Sequence, residues 1–174
     1  MIDINSLFSK ICKHMETKSE YFDIFIEYKT RFEGWFEAEI LKDILDKSPE
    51  ISIVSTKKKF QNWGQPDIVL KYQNMTCIIE LKAGVIERSR NFNFYLVNYK
   101  VGAGKDFDRI SKYDQDAFAI ICLAPCNGSE DNNFILSVEQ TQEKYNVKKL
   151  KEFKFKTPDR YPVTLMLWGK KLTN

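Results

Sequence analysis

Asp67, Glu80 and Lys82 lie within sixteen residues of one another, in the segments Gln65-Pro66-Asp67-Ile68-Val69-Leu70 and Cys77-Ile78-Ile79-Glu80-Leu81-Lys82. Two carboxylates and an ammonium on strongly apolar runs can hold a divalent cation beside a fixed positive charge. Cutting a phosphodiester bond requires that chemistry.

The elements that carry these residues must bring them together. Residues 66–72 and 75–82 are rich in Ile, Val and Leu and read as strands. The polar stretch between them contains Asn74 and reads as a turn. A two-residue hairpin turn at Gln73-Asn74 pairs Tyr72 with Met75 and sets Asp67 opposite Glu80. Directly paired Cβ atoms are about 4.5–5.5 Å apart, so one cation can touch both carboxylates. Lys82, two residues beyond Glu80, points to the same face. A one-residue slip would separate the carboxylates.

A Lys–Glu pair on a solvated hairpin face would be the ordinary reading of such charges. Here Ile68, Leu70, Ile79 and Leu81 fill one face, and Val69 and Ile78 much of the other. A hairpin apolar on both faces is expected to be central and covered. Charges at its margin are then costly unless paired or bound to an ion.

Pro66-Asp67 followed by Glu80-Leu81-Lys82 resembles the signature of the PD-(D/E)XK nucleases, a superfamily of restriction endonucleases, Holliday-junction resolvases and DNA-repair nucleases. The resemblance covers a core of about residues 31–124. It implies a restriction endonuclease-like α/β fold, a central mixed β-sheet flanked by α-helices. It implies that Asp67 and Glu80 ligate Mg²⁺, with Mn²⁺ as a substitute, and that the Leu81 carbonyl adds a ligand. Lys82 would orient the attacking water or offset charge on the phosphate. The activity implied is a metal-dependent DNA endonuclease acting in restriction, phage defence or repair. Two alternatives stand beside it: a structure-selective, junction-resolving nuclease working as a homodimer, and a catalytically silent nucleic-acid-binding module of the same fold.

A third carboxylate is expected on the helix before the strands. Over residues 31–46, Phe32, Phe36, Ile40, Leu41, Ile44 and Leu45 form an apolar stripe. Glu33 and Glu37 fall inside it and Glu39 at its margin. An acid within a buried stripe needs a partner, which favours Glu37. The resemblance, through Trp35-Phe36-x-x-Glu39-Ile40, favours Glu39 equally. Both remain candidates, with Glu33 third. The ordinary alternative is acids placed near a helix N-terminus by its dipole.

The chain has 174 residues, 43% hydrophobic and 14% aromatic, enough for one sizeable core, and one domain over residues 1–174 is expected. No stretch reaches the ~20 apolar residues of a membrane span, and the N-terminus lacks an apolar run of the signal-peptide kind, so a cytoplasmic location is expected. Cys12, Cys77, Cys122 and Cys126 read as reduced core thiols rather than zinc ligands. The single His14 argues against histidine-based hydrolysis and is expected on the surface.

Net charge is only +3, so distribution matters more than total. Lys57, Lys58 and Lys59 precede the first motif. Lys82, Arg88, Arg90, Lys100, Lys105, Arg109 and Lys112 follow, interleaved with Phe92, Phe94, Tyr95 and Tyr99. These cations could neutralise the phosphates of DNA, or of RNA, and the aromatics could stack on bases. The remaining elements expected are helices over 5–16 and 19–29, a strand over 51–55, and a bend at Trp63-Gly64. A helix capped by Asp106 follows, with strands over 117–124, 134–138 and 161–168 and a polar helix near 139–146.

Overall fold

In a computed structural model, residues 3–47, 51–56, 65–72, 74–87 and 91–170 are described. Helices α1 (Ile4–Glu16), α2 (Ser19–Glu27) and α3 (Glu33–Lys47) come first. Strands β1 (Ser52–Thr56), β2 (Ile68–Tyr72) and β3 (Met75–Val85) follow. Next come α4 (Phe92–Tyr95), α5 (Gly104–Lys112), β4 (Asp116–Ala124), α6 (Asn132–Tyr145), β5 (Val147–Lys156) and β6 (Pro162–Lys170). The expected mixed α/β sheet is present, with six strands in the order β1-β2-β3-β4-β6-β5. Only β3 and β4 run parallel; every other neighbouring pair is antiparallel.

The sheet is covered on both faces because its central strands are apolar on both. One core joins Ile68, Leu70, Ile79, Leu81, Ile120 and Cys122 to Phe8, Ile11, Phe22, Phe32, Phe36 and Ile40 of α1–α3. The other joins Ile78, Ala119, Ile121, Met166 and Trp168 to Phe107, Ile110, Phe134 and Tyr145 of α5 and α6. All four cysteines are free and buried. Burial raises the thiols of Cys12 and Cys77 to about 12, which keeps them protonated and inert.

The β2–β3 pairing sets Tyr72 against Met75 and Ile68 against Ile79, as the turn arithmetic requires. Asp67 and Glu80 are the next residues outward from the last paired position. β3 then outruns β2. From Glu80 to Val85 it pairs only with β4, so its other edge has no neighbouring strand among the described residues.

Three sequence expectations are corrected. Residues 134–138 are not a strand but part of α6, whose N-cap Asp131 accepts from the amides of Asn133 and Phe134. Phe134, Ser137, Val138, Thr141 and Tyr145 are buried with helical spacing, whereas Ile135 and Leu136 are exposed. α5 begins at Gly104 with Ala103 as N-cap, so Asp106 sits in its first turn and does not cap it. β5, rich in lysine, had no counterpart among the expected strands. The proposed bend at Trp63-Gly64 lies outside the described residues.

Candidate active site

The stretch of β3 beyond the end of β2 organises the acidic residues. Within an antiparallel ladder, the N–H and C=O of one residue point to the same neighbour. Leu81 and Ala83 therefore direct their peptide groups to the side where β2 has ended. Asp67 Oδ2 accepts from Leu81 N at 2.8 Å, and Glu33 Oε2 accepts from Ala83 N at 3.4 Å. Side-chain carboxylates thus take the places of the missing strand. The same geometry turns the Leu81 carbonyl toward Asp67.

Glu80 and Lys82 project from the other face of the sheet, toward α5. Their β4 partners are Ala119 and Ile121, and the small Ala119 leaves room for α5 side chains beside Glu80. Glu80 is 0% exposed. Arg109 Nη1 donates to both of its oxygens, at 3.2 and 3.3 Å, and the Tyr113 hydroxyl donates to Oε1 at 2.8 Å. Burial nevertheless raises the Glu80 carboxyl, against the lowering effect of Tyr113 and Arg109; the charge of Asp67 adds to the rise. Arg109 also reaches the Gln65 carbonyl at 3.5 Å and Asp106 at 3.7 Å. Lys82 Nζ meets Glu33 Oε2 at 3.0 Å, where both groups are partly exposed, so this ion pair stabilises by no more than about 1 kcal/mol.

Asp106 belongs to the cluster although it was not among the expected site residues. Its carboxyl is raised to about 7, first by burial and then by the negative charge of Glu80, with Lys82 opposing and Asp67 adding. Asp106 and Arg109 lie three residues apart on one face of α5 and Tyr113 follows four residues later as its C-cap, a spacing that was legible in the sequence. A group whose folded pKa is raised stabilises at low pH and loses that contribution as pH rises through the folded value. Asp106→Asn is therefore expected to stabilise the chain at pH 8 by at least about 1 kcal/mol and to change little near pH 4. Urea titration at the two pH values checks this; a variant weaker than the parent at pH 8 would show that the Arg109 contact outweighs the burial.

The helix acids divide differently from the sequence ranking. Glu33, ranked third, is the one that meets Lys82. Glu37 is half-buried one turn further along the same side of α3. Glu39 faces α1, with His14 Nε2 at 2.8 Å from its Oε2. His14 is accordingly not a surface residue: it packs between Glu39 and Asp43, whose Oδ1 is 3.6 Å from Nδ1. Among the expected phosphate contacts, Arg109 is engaged with Glu80, and Lys112 pairs with Asp108. Lys100 and Lys105 are exposed. Lys57, Lys58, Lys59, Arg88 and Arg90 lie outside the described residues. Of the aromatics, Phe92 and Tyr95 are buried, whereas Tyr99 is 49% exposed. Tyr95 donates to the Val85 carbonyl and so pins the end of β3 instead of offering a stacking face.

Among the described residues, no three His, Cys, Asp or Glu side chains are grouped so as to hold a metal ion by themselves. Mg²⁺ asks for less: one or two carboxylates, with water and substrate oxygens completing its shell. Asp67, Glu80 and the Leu81 carbonyl are hard oxygen donors of the right kind. Glu80 would have to exchange a hydrogen bond from Arg109 to take part.

The fold and site together define a mixed α/β protein with a carboxylate–lysine cluster at the open end of its central hairpin. Comparison of the chain with family models, with curated proteins and with solved structures gives no significant match. Among the described residues, no helix is long and apolar enough to cross a membrane.

Proposed function

We propose that this chain is a metal-dependent nuclease with a restriction endonuclease-like core over about residues 31–124, hydrolysing DNA phosphodiester bonds. One observation carries the reading. The hairpin register closes on Ile68 against Ile79, so Asp67 and Glu80 are the next residues of the two chains; Asp67 is anchored 2.8 Å from the Leu81 amide, and Lys82 follows on the Glu80 face. The elements between residues 31 and 124 supply every side chain of the cluster: Glu33 from α3, Asp67 before β2, Glu80 and Lys82 from β3, and Asp106 and Arg109 from α5.

Asp67 and Glu80 would hold Mg²⁺ or Mn²⁺, with the Leu81 carbonyl turned toward them. When bound, the ion would supply Lewis acidity and lower the pKa of a water. The chain's own groups do the rest. The Leu81 amide fixes the Asp67 carboxylate. Tyr113 fixes Glu80 from the sheltered side. Lys82, steered by Glu33, sets a positive charge where the phosphate gains negative charge.

A second reading has its own observation. Both Glu80 oxygens are already bound by Arg109, and Lys82 is already paired, as expected of a structural network in a catalytically silent module of the same fold. Incubation of the chain with plasmid, single-stranded DNA, RNA and four-way junctions, with Mg²⁺ or with EDTA, separates the two. Mg²⁺-dependent cleavage of any of these polymers favours the nuclease, and the preferred polymer identifies its substrate class. No cleavage under any condition favours the silent module.

A further inference from the structure

β5 holds five lysines and one glutamate, a surplus of four positive charges, whereas the whole chain has a net charge of +3. A surplus larger than that of the whole chain therefore sits within ten residues of one strand. That strand is the last in the sheet order, so its outer edge has no strand beside it among the described residues. Glu152 neutralises Lys149 and Glu130 neutralises Lys154. Lys148, Lys151 and Lys156 are exposed and ion-pair with no carboxylate among the described residues.

The β5–β6 register distributes these three lysines around the edge. Lys148 stands opposite Gly169 and Lys151 opposite Leu167, on the face of the sheet covered by α1–α3. Lys156 stands opposite Pro162, one position beyond the Phe155–Val163 pair and therefore on the other face. The charge forms a rim along the edge rather than a patch on either face. At about 3.3 Å per residue, it extends some 26 Å from Lys148 to Lys156. A narrow ridge of ammonium groups matches a linear polyanion. An anionic plane would ask for charge spread over a face.

Lysines on edge strands also block edge-to-edge aggregation. A β-bulge does the same work, and β5 already has one between Lys149 and Lys151. Edge protection does not explain a local surplus greater than that of the entire chain. We infer that the β5 edge is a docking rail for the phosphate backbone of a nucleic acid. It stands three strand spacings from β3, about 14 Å, and does not rest on the chemistry of the Asp67–Glu80 cluster.

Fluorescence anisotropy of the full chain with a labelled DNA duplex and a labelled single strand, over a range of salt, tests this. The combined variant Lys148→Gln, Lys151→Gln, Lys156→Gln is expected to bind at least about tenfold more weakly. Its dependence of log K on log salt should be shallower by about 2–3, close to one for each phosphate that is no longer neutralised. Each single Lys→Gln exchange should reduce the slope by about one, which keeps the test valid should the triple variant fold poorly. Binding by the parent chain is measured in EDTA, apart from any cleavage, so a parent that binds DNA but cleaves no polymer would count against the nuclease reading alone. Three results would overturn the rail: unchanged affinity and slope in the single and triple variants, no binding of either DNA by the parent chain, or binding of phosphatidylserine vesicles or polyglutamate in preference to DNA.

Discussion

Asp67→Ala is expected to abolish Mg²⁺-dependent cleavage while leaving the chain folded. Asp67 sits just outside β2 and is half-buried, so its removal opens no core cavity. It leaves the Leu81 amide without its 2.8 Å acceptor. The stability cost should stay near 1 kcal/mol, the usual net contribution of about one hydrogen bond. The catalytic cost is far larger. Loss of one preorganised electrostatic group costs about 10²–10³-fold, and here the same carboxylate would also be a cation ligand. Rates on supercoiled plasmid, with Mg²⁺ and with EDTA, should therefore fall by about 10³-fold or more. Glu80→Ala and Lys82→Ala should also lose activity, but Glu80→Ala strands the buried Tyr113 hydroxyl and the half-buried Arg109 guanidinium and is the less clean test. Parent-level cleavage by pure, folded Asp67→Ala protein would remove the nuclease assignment.

Arg109→Ala is expected to give the largest loss of stability in this region. Glu80 has no solvent contact, and Arg109 is the cation that bonds both of its oxygens. Breaking a buried ion pair from one side typically costs about 3–5 kcal/mol. The lower end applies here, because Tyr113 still donates to Oε1 and the carboxyl can take up a proton. The pH dependence follows from the sign of the Glu80 shift. Burial raises its folded pKa, so this group favours the folded chain at low pH and loses that contribution as pH rises through the folded value. Without Arg109 the folded value moves higher still. The loss in Arg109→Ala should thus be greatest near pH 8 and smaller near pH 5. Urea unfolding midpoints at both pH values measure it. Equal midpoints for parent and variant at pH 8 would show that Glu80 does not depend on this guanidinium.

The two results bear on each other. A cation held by Glu80 must share it with Arg109 or displace it. Arg109→Gln would then raise affinity for Mn²⁺ in calorimetry even where it lowers stability. In a purely structural network, neither parent nor variant would bind the ion.

Much of the site could be read from the sequence because it is local. The register of β2 and β3 follows from a two-residue turn and a period of two, which set Tyr72 against Met75 and Ile68 against Ile79 and leave Asp67 and Glu80 as the next residues outward. The apolar assignments on the hairpin follow from the same alternation: Ile68, Leu70, Ile79 and Leu81 lie in one core and Ile78 in the other, and Val69 is buried. Longer apolar runs misled where two periods compete. Phe134-Ile135-Leu136 looks like a strand, yet Ile135 and Leu136 are exposed and the buried positions keep helical spacing. β5 was obscured for the opposite reason. An edge strand buries few side chains, and Val147 and Phe155 are too far apart to mark a strand among lysines.

The sequence by itself determined the hairpin, its register, and therefore the placing of Asp67 and Glu80 at the same end of it, with Lys82 beyond them. These depend on neighbours along the chain and on the fixed geometry of a strand. The tertiary structure alone decided which helix acid arrives. Helical periodicity defines a face but not where along the sheet that face rests. Packing of α3 between α1 and β3 delivers Glu33 to Lys82 and Glu39 to His14. The same holds for Arg109 and Tyr113: α5 is set by Phe107 and Ile110 in the second core, and only that docking brings a guanidinium and a phenol from some thirty residues away onto the buried Glu80.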